Sequence, residues 1–201
     1  MKVEILRELP RGAERRAAEL YWEAFGRKLG PALGPREKGV AFLAAHLNGD
    51  RAVTAFVDGR LAGIAGYRHG GRALTGGSSA DVLRAYGPLS GLPRLALLAL
   101  LGRGEAPGEL VMDGIAVDPA LRGGGIGGLL LDEVAAVAAG LDRSRVRLDV
   151  VDTNPRARAL YERRGFRAVG TEETPFLRRL MGFGAVTRMS RPVSPGGRAA
   201  R

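Results

Sequence analysis

One stretch constrains this chain more than any other. Leu110–Gly128 reads Leu-Val-Met-Asp-Gly-Ile-Ala-Val-Asp-Pro-Ala-Leu-Arg-Gly-Gly-Gly-Ile-Gly-Gly. Glu109–Val117 is apolar and β-prone. Asp118-Pro119 stops that strand, because proline has no N–H to give to a ladder. Arg122 opens a run of small residues, and Leu129-Leu130-Leu131 begins a helical pattern. The expected order is strand, short loop, glycine turn and a helix over Gly128–Ala139. The start of a helix presents unpaired N–H groups and the positive end of its dipole, and glycine puts no Cβ in the way of a phosphate. Five of the six positions Gly123–Gly128 are glycine. That is more backbone entropy to lose on folding than a merely flexible turn would justify. The stretch therefore predicts an anion site, and the question is which phosphate-bearing ligand it holds.

Gly123-x-Gly125-x-x-Gly128 spells a dinucleotide fingerprint, and Asp149 stands about 20 positions further on, where such a site keeps an acidic residue. Three features oppose a dinucleotide. Asp118–Arg122 separates the strand from the glycines, the glycines lie beyond the chain's midpoint, and too little sequence follows to build a second nucleotide-binding half. A nucleoside triphosphate loop is excluded, since no Gly-Lys-Ser/Thr is present.

Composition removes further classes. The chain has 201 residues and no cysteine, so disulfides, thiolate metal sites and a cysteine nucleophile are excluded. With only His46 and His69, no metal centre is expected. Met1-Lys2-Val3-Glu4 does not begin a signal peptide. The longest apolar run, Leu92–Leu101, is too short to span a bilayer and is interrupted by Arg94. The expectation is a cytoplasmic protein without a membrane contact. The formal net charge of +10 comes almost wholly from arginine, with lysine only at positions 2, 28 and 38. The arginines are dispersed and aromatics make up 5% of the chain, so stacking platforms for nucleic acid are not expected. A basic surface also suits a polyphosphorylated ligand.

Along the chain, strands are expected at Val3–Leu9, Arg51–Val57, Leu61–Arg68, Glu109–Val117, Val146–Val151, Phe166–Gly170 and Phe183–Arg191. Asp58-Gly59 marks a hairpin. Helices are expected at Ala13–Arg27, Arg36–Leu47, Gly128–Ala139 and Arg156–Arg164, with Gly30-Pro31 and Gly34-Pro35 marking a loop between the first two. Residues 70–108 form an insertion with helices at Ala80–Tyr86 and Leu92–Leu101. The apolar second helix is open to three roles: core filler, lid, or the surface of a homodimer. Residues 192–201 are expected to be a disordered basic tail. Early hairpins followed by βαβ units imply a single α/β (α+β) domain with a mixed sheet covered on both faces.

Two motifs carry a family resemblance. Ile115-Ala116-Val117-Asp118-Pro119 followed by Arg122-x-x-Gly125-x-Gly127 resembles the acyl-CoA motif of the GNAT superfamily of N-acetyltransferases. Asn154-x-x-Ala157-x-x-Leu160-Tyr161-Glu162-x-x-Gly165-Phe166 is similar to that family's second signature. The resemblance is firm over Leu110–Arg191. Over Val3–Arg68 only the order of elements agrees, and the insertion is longer than the family's usual connection. The resemblance implies a mostly antiparallel GNAT sheet and acetyl-CoA as co-substrate. Gly123, Gly124, Gly125, Ile126, Gly127 and Gly128, with Arg122, would cradle the pyrophosphate. The pantetheine arm would lie between the strands Glu109–Val117 and Val146–Val151, against Ile115, Ala116, Val117, Asn154 and Ala157. Asn154 also suits a plain helix N-cap. Arg158, Arg163 and Arg164 are candidates for the 3′-phosphate. The implied reaction is direct attack of an amine, from a small molecule or a protein, on the thioester. Tyr161 is the candidate acid. Glu109, ahead of Asp113, is the candidate base; the two share one strand face by period-2 spacing. The acceptor site would use Gly26–Arg36 and Thr171–Met181. A non-catalytic acyl-CoA-binding module is the alternative, and a dinucleotide enzyme the remote one.

Overall fold

A computed structural model describes residues 2–100, 102, 104–175 and 177–194. Seven strands form one open sheet: β1 (Val3–Leu6), β2 (Ala52–Val57), β3 (Arg60–Arg68), β4 (Glu109–Val117), β5 (Arg145–Val151), β6 (Arg167–Glu173) and β7 (Ala185–Pro192). Their order is β1-β2-β3-β4-β5-β7-β6, and all neighbours are antiparallel except β4 and β5. The strand edges shift from the expected ones by a few residues. β7 runs on to Pro192, which pairs with Arg145. Residues 195–201 of the expected tail lie outside the described residues.

Helices cover both faces. On one face lie α1 (Glu14–Leu33), α2 (Arg36–His46), α3 (Ser79–Tyr86) and α4 (Pro88–Leu100), whose apolar residues join Leu61, Ile64 and Ala116 of the sheet. On the other lies α5 (Ile126–Gly140), packed through Ile126, Leu130, Leu131 and Val134 on β2, β3 and β4. Each fully buried side chain of this kind contributes about 1.5–3 kcal/mol. Two short helices, α6 (Pro155–Arg163) and α7 (Leu177–Met181), complete the fold.

The first helix departs from expectation. It does not stop at Arg27 but runs through Gly30-Pro31 to Leu33, so most of the expected loop Gly26–Arg36 is helical. The reason is non-local. Ala32 and Leu33 are buried, and two carbonyls of the last turn, which have no partner inside a helix, accept bonds from the insertion. The Tyr86 hydroxyl donates to Leu33 O at 2.5 Å, and Arg94 Nη1 to Ala32 O at 2.9 Å. Arg94 also sits over the Tyr86 ring, 4.4 Å from its centroid. The insertion is thus clamped to α1. Its apolar helix α4 packs inward through Leu95, Leu97 and Leu98, while Leu89 and Leu92 are exposed.

Candidate active site

Two features of β4 shape the centre of the molecule. β4 and β5 pair over three residues only, Glu109–Val111 against Arg145–Arg147. Beyond that point β4 keeps pairing with β3, and β5 with β7, so their facing edges part. The parting coincides with a β-bulge. Gly66 pairs with Gly114 and Tyr67 with Met112, leaving Asp113 as the extra residue. A bulge bends its strand and re-aims the side chain at that position. Leu110 and Met112 lie on the α5 side before the bulge, and Ile115 and Val117 lie there after it. Gly114 faces α1. A Cβ there would stand 2.6 Å from Phe25 Cζ and 2.9 Å from the Tyr21 hydroxyl, so only glycine lets α1 rest on the strand at this point.

The parted strands enclose a cavity of about 220 Å³. Met112, Asp113, Gly114 and Ile115 line it from β4, and Leu148–Val151 from β5. Phe25 and Lys28 of α1 close one side, and Asn154, Ala157 and Tyr161 the other. The Tyr161 side chain is buried, its ring 6.0 Å from that of Phe166. Asn154 Oδ1 accepts from Ala157 N at 3.1 Å, which is the N-cap of α6.

β4 leads through Asp118 and a short turn into the glycine run. Gly123 and Gly125 have φ of +87° and +84°, in the left-handed region where side chains are strained, and nothing stands within 4 Å of a Cβ built on either. Gly125 is the N-cap of α5 and supplies no side-chain bond. Among the described residues, the N–H groups of Gly123, Gly125, Ile126 and Gly127 have no backbone or side-chain acceptor, whereas Gly128 N donates to Gly125 O at 2.9 Å. Four unpaired donors at the start of a 15-residue helix fit a phosphate group. Arg122 points back, its Nε donating to Val117 O at 3.1 Å. Gly128 lies under the end of the Arg164 side chain. A Cβ there would lie 2.0 Å from Arg164 Nη2, and Arg164 in turn donates to Asp132 at 2.5 Å. Arg158 is held by Glu162 at 2.9 Å.

The two candidate carboxylates sit apart. Glu109 Oε2 accepts from Arg147 Nη1 at 3.2 Å, their side chains 18% and 11% exposed, and Glu109 lines neither cavity. Asp113 lies in the cavity wall, where its Oδ2 accepts from both the backbone N and the hydroxyl of Thr75, each at 3.1 Å. Ala116 and Val117 lie further along β4 and pair with Ile64 and Gly63.

A second cavity of about 230 Å³ adjoins the first. Phe25, Lys28 and Asp113 line both. Its other walls are Tyr21, Leu29 and Leu33 of α1, Phe42 and Leu43 of α2, and Thr75, Val82 and Leu98 of the insertion. Arg68, from the end of β3, completes the floor. These residues were not indicated by either sequence motif. Lys28, Leu29 and Leu33 do fall in the expected acceptor stretch Gly26–Arg36, and Asp113 is a candidate base; for the other walls the available signal was the pair of mid-strand glycines Gly66 and Gly114, which mark close approach. A Cβ at Gly66 would meet Leu74 at 2.6 Å. Among the described residues no group of three metal-ligating side chains occurs, and no helix is long and apolar enough to cross a membrane.

One family model matches most of the chain, and solved structures share its fold. A model described as the acetyltransferase (GNAT) family matches residues 15–166. Among solved structures, one titled as an acetyltransferase superposes with TM-score 0.62 at 21% identity, covering 95% of this chain and 100% of its own. A GCN5-related N-acetyltransferase from Kribbella flavida gives 0.60 at 18% identity, over 95% and 98% of the two chains. The ribosomal-protein-S18-alanine N-acetyltransferase from Escherichia coli gives 0.58 at 17% identity, over 100% and 99%. At these identities the likeness is one of fold. A search of curated protein sequences finds no match.

Proposed function

This chain belongs to the GNAT family of acetyltransferases, and from that premise we propose that it moves an acetyl group from acetyl-CoA to the primary amine of a small molecule, by direct attack in a ternary complex. The observation that carries this reading is the parting of β4 from β5 after three paired residues, with the glycine turn following β4 after the short turn Pro119–Leu121. Two facing strand edges with free backbone groups suit an extended arm carrying amides. The donors of Gly123, Gly125, Ile126 and Gly127 suit its pyrophosphate, with Gly124 and Gly128 keeping the turn narrow. Arg122 shapes the approach from Val117 O. Ile115, Ala116 and Val117 lend the β4 edge, and Asn154 and Ala157 the start of α6. Bound there, acetyl-CoA supplies an activated thioester.

The chain's own groups then divide the proton work. Asp113 lines both cavities, so it faces an incoming ammonium and takes its proton, directly or through water. Thr75 fixes Asp113 Oδ2 and leaves Oδ1 for this task. Tyr161 lines the first cavity and donates its hydroxyl proton to the departing sulfur. Glu109, bonded to Arg147, acts by holding β4 and β5 together where they still pair. The Escherichia coli neighbour is named for acting on the alanine of a ribosomal protein. Here the insertion walls the second cavity opposite α1 and α2, which favours a compact acceptor over an extended polypeptide.

Thiol release from acetyl-CoA, followed across a panel of primary amines, tests the reading. Turnover that depends on the amine supports it, with Tyr161→Phe lowering kcat about 10²-fold. Binding of coenzyme A with no amine-dependent turnover across the panel identifies a non-catalytic acyl-CoA-binding module instead.

A further inference from the structure

We infer that the second cavity selects an amine carrying its own carboxylate, with an apolar side chain: an apolar α-amino acid, bound through Arg68. The inference rests on the transferase reading for its chemistry, but on separate observations for its ligand.

The lining of this cavity is mostly apolar, from Leu29, Leu33, Phe42, Leu43, Val82 and Leu98. Its titratable groups are Tyr21, Lys28, Arg68 and Asp113. Asp113 marks the junction with the first cavity, because it lines both. Arg68 lines this cavity only, from the end of β3. It makes no hydrogen bond or ion pair to any described residue, and its Nε is buried without a partner. Two other part-buried arginines make bonds through their terminal nitrogens. Arg147 holds Glu109, and Arg94 holds a carbonyl of α1. Arg68 is half-buried, and an Nε cut off from water without a partner is costly unless something brings it an acceptor. Arginine's planar fork matches a carboxylate with two parallel bonds.

The spacing suits a small zwitterion. Arg68 pairs with Val111, and Asp113 is two residues along the same strand. In a regular ladder residues related in this way sit diagonally, roughly 7–8 Å apart at Cα, and the bulge at Asp113 alters that spacing locally. Gly66, on the face of β3 that points towards Leu74, puts Arg68 on the same side, towards the insertion. An α-amino acid thus places its ammonium at Asp113 beside the first cavity and its carboxylate at Arg68. Its side chain meets the Leu33, Phe42, Val82 and Leu98 wall. In the reaction the amine nitrogen bonds the acetyl carbon and the carbon–sulfur bond breaks. One ammonium proton passes to Asp113 before attack; Tyr161 gives its proton to the departing sulfur, so coenzyme A leaves as the free thiol, and the second proton released by the nitrogen restores the Tyr161 hydroxyl.

The test compares L-leucine with 3-methylbutylamine, and L-phenylalanine with 2-phenylethylamine, each pair differing only by the carboxylate. Thiol release with acetyl-CoA gives kcat/KM, and calorimetric titration of each compound gives binding without turnover. The expected result is a kcat/KM at least a hundredfold higher for the amino acid of at least one pair. Arg68→Gln collapses that ratio to within a few-fold, mainly through KM, while Arg68→Lys retains part of it. Thermal unfolding confirms that both variants fold. Turnover of the plain amines at equal or higher kcat/KM overturns the inference and leaves the transferase reading standing. So does a ratio that Arg68→Gln does not change. Absence of turnover with any amine counts against the transferase reading. Calorimetry then decides the ligand alone: binding of the amino acids lost in Arg68→Gln upholds the site, and no binding overturns it.

Discussion

At the scale of single residues, the two carboxylates of β4 separate by environment although period-2 spacing gave them one face. Asp113 falls on a bulge and turns into the wall shared by both cavities. Glu109 pairs with Arg147, whose Nη2 also donates to Gly104 O at 2.6 Å. The difference makes opposite predictions. Asp113→Asn lowers kcat/KM about 10²-fold with little change in Tm. Glu109→Gln leaves a buried guanidinium without its counter-charge and costs about 3 kcal/mol of stability. Steady-state kinetics beside thermal unfolding checks both; a kinetic loss confined to Glu109→Gln would exchange their roles. The glycines of the turn and Tyr161 were legible because a helix start and a signature motif are local patterns. The bulge was not, since nothing in Met112-Asp113-Gly114 distinguishes an extra residue from a paired one without its partner strand. Nor was the partner of Glu109, which stands 38 residues away in the sequence.

At the scale of elements, strand and helix order was legible from periodicity and from Gly and Pro punctuation, and most boundaries moved by only a few residues. The end of α1 was not. Local chemistry argues that Gly30-Pro31 breaks the helix, and tertiary contacts from Tyr86 and Arg94 carry it to Leu33. The same region shows how tightly α1 and α2 approach. A Cβ at Gly39 would stand 2.1 Å from the Trp22 ring and 2.8 Å from Leu33 O. Gly39→Ala therefore forces the two helices apart and destabilises by about 2 kcal/mol. For a chain of this size that lowers Tm by about 4–8 °C. Scanning calorimetry checks it, and an unchanged Tm would mean that the helices have room to spare.

At the scale of the whole molecule, the sheet divides the work between its faces. The α5 face carries a dense core around Leu130, Leu131 and Val134, the α1 face carries the second cavity, and the first lies in the gap between the parted strands. The insertion belongs to that second face, and its anchoring residue Tyr86 links stability to pH. Burial raises the pKa of Tyr86 above the ordinary tyrosine range, with the nearby Arg94 pulling the other way. Burial also raises Tyr67, against the charge of Arg51. A folded pKa above the unfolded one contributes stability that is complete below the unfolded value and is lost as pH rises through the folded one. Tm is therefore expected to hold up to about pH 10 and to fall above it. Tyr86→Phe should flatten that alkaline fall, and an equally steep fall would place the alkaline sensitivity elsewhere.

The central claim is that the glycine turn and the gap beside β4 hold an acyl-CoA. Calorimetric titration of acetyl-CoA onto the protein and onto Gly125→Val tests it most directly. The left-handed φ of Gly125 makes valine strained there by about 1–2 kcal/mol, and its side chain would fill the open space before the N–H groups of α5. The account predicts saturable binding of acetyl-CoA by the native chain. In the folded variant, affinity should fall at least tenfold. Equal affinity in the two proteins, or saturable binding of NAD with none of acetyl-CoA, would contradict it.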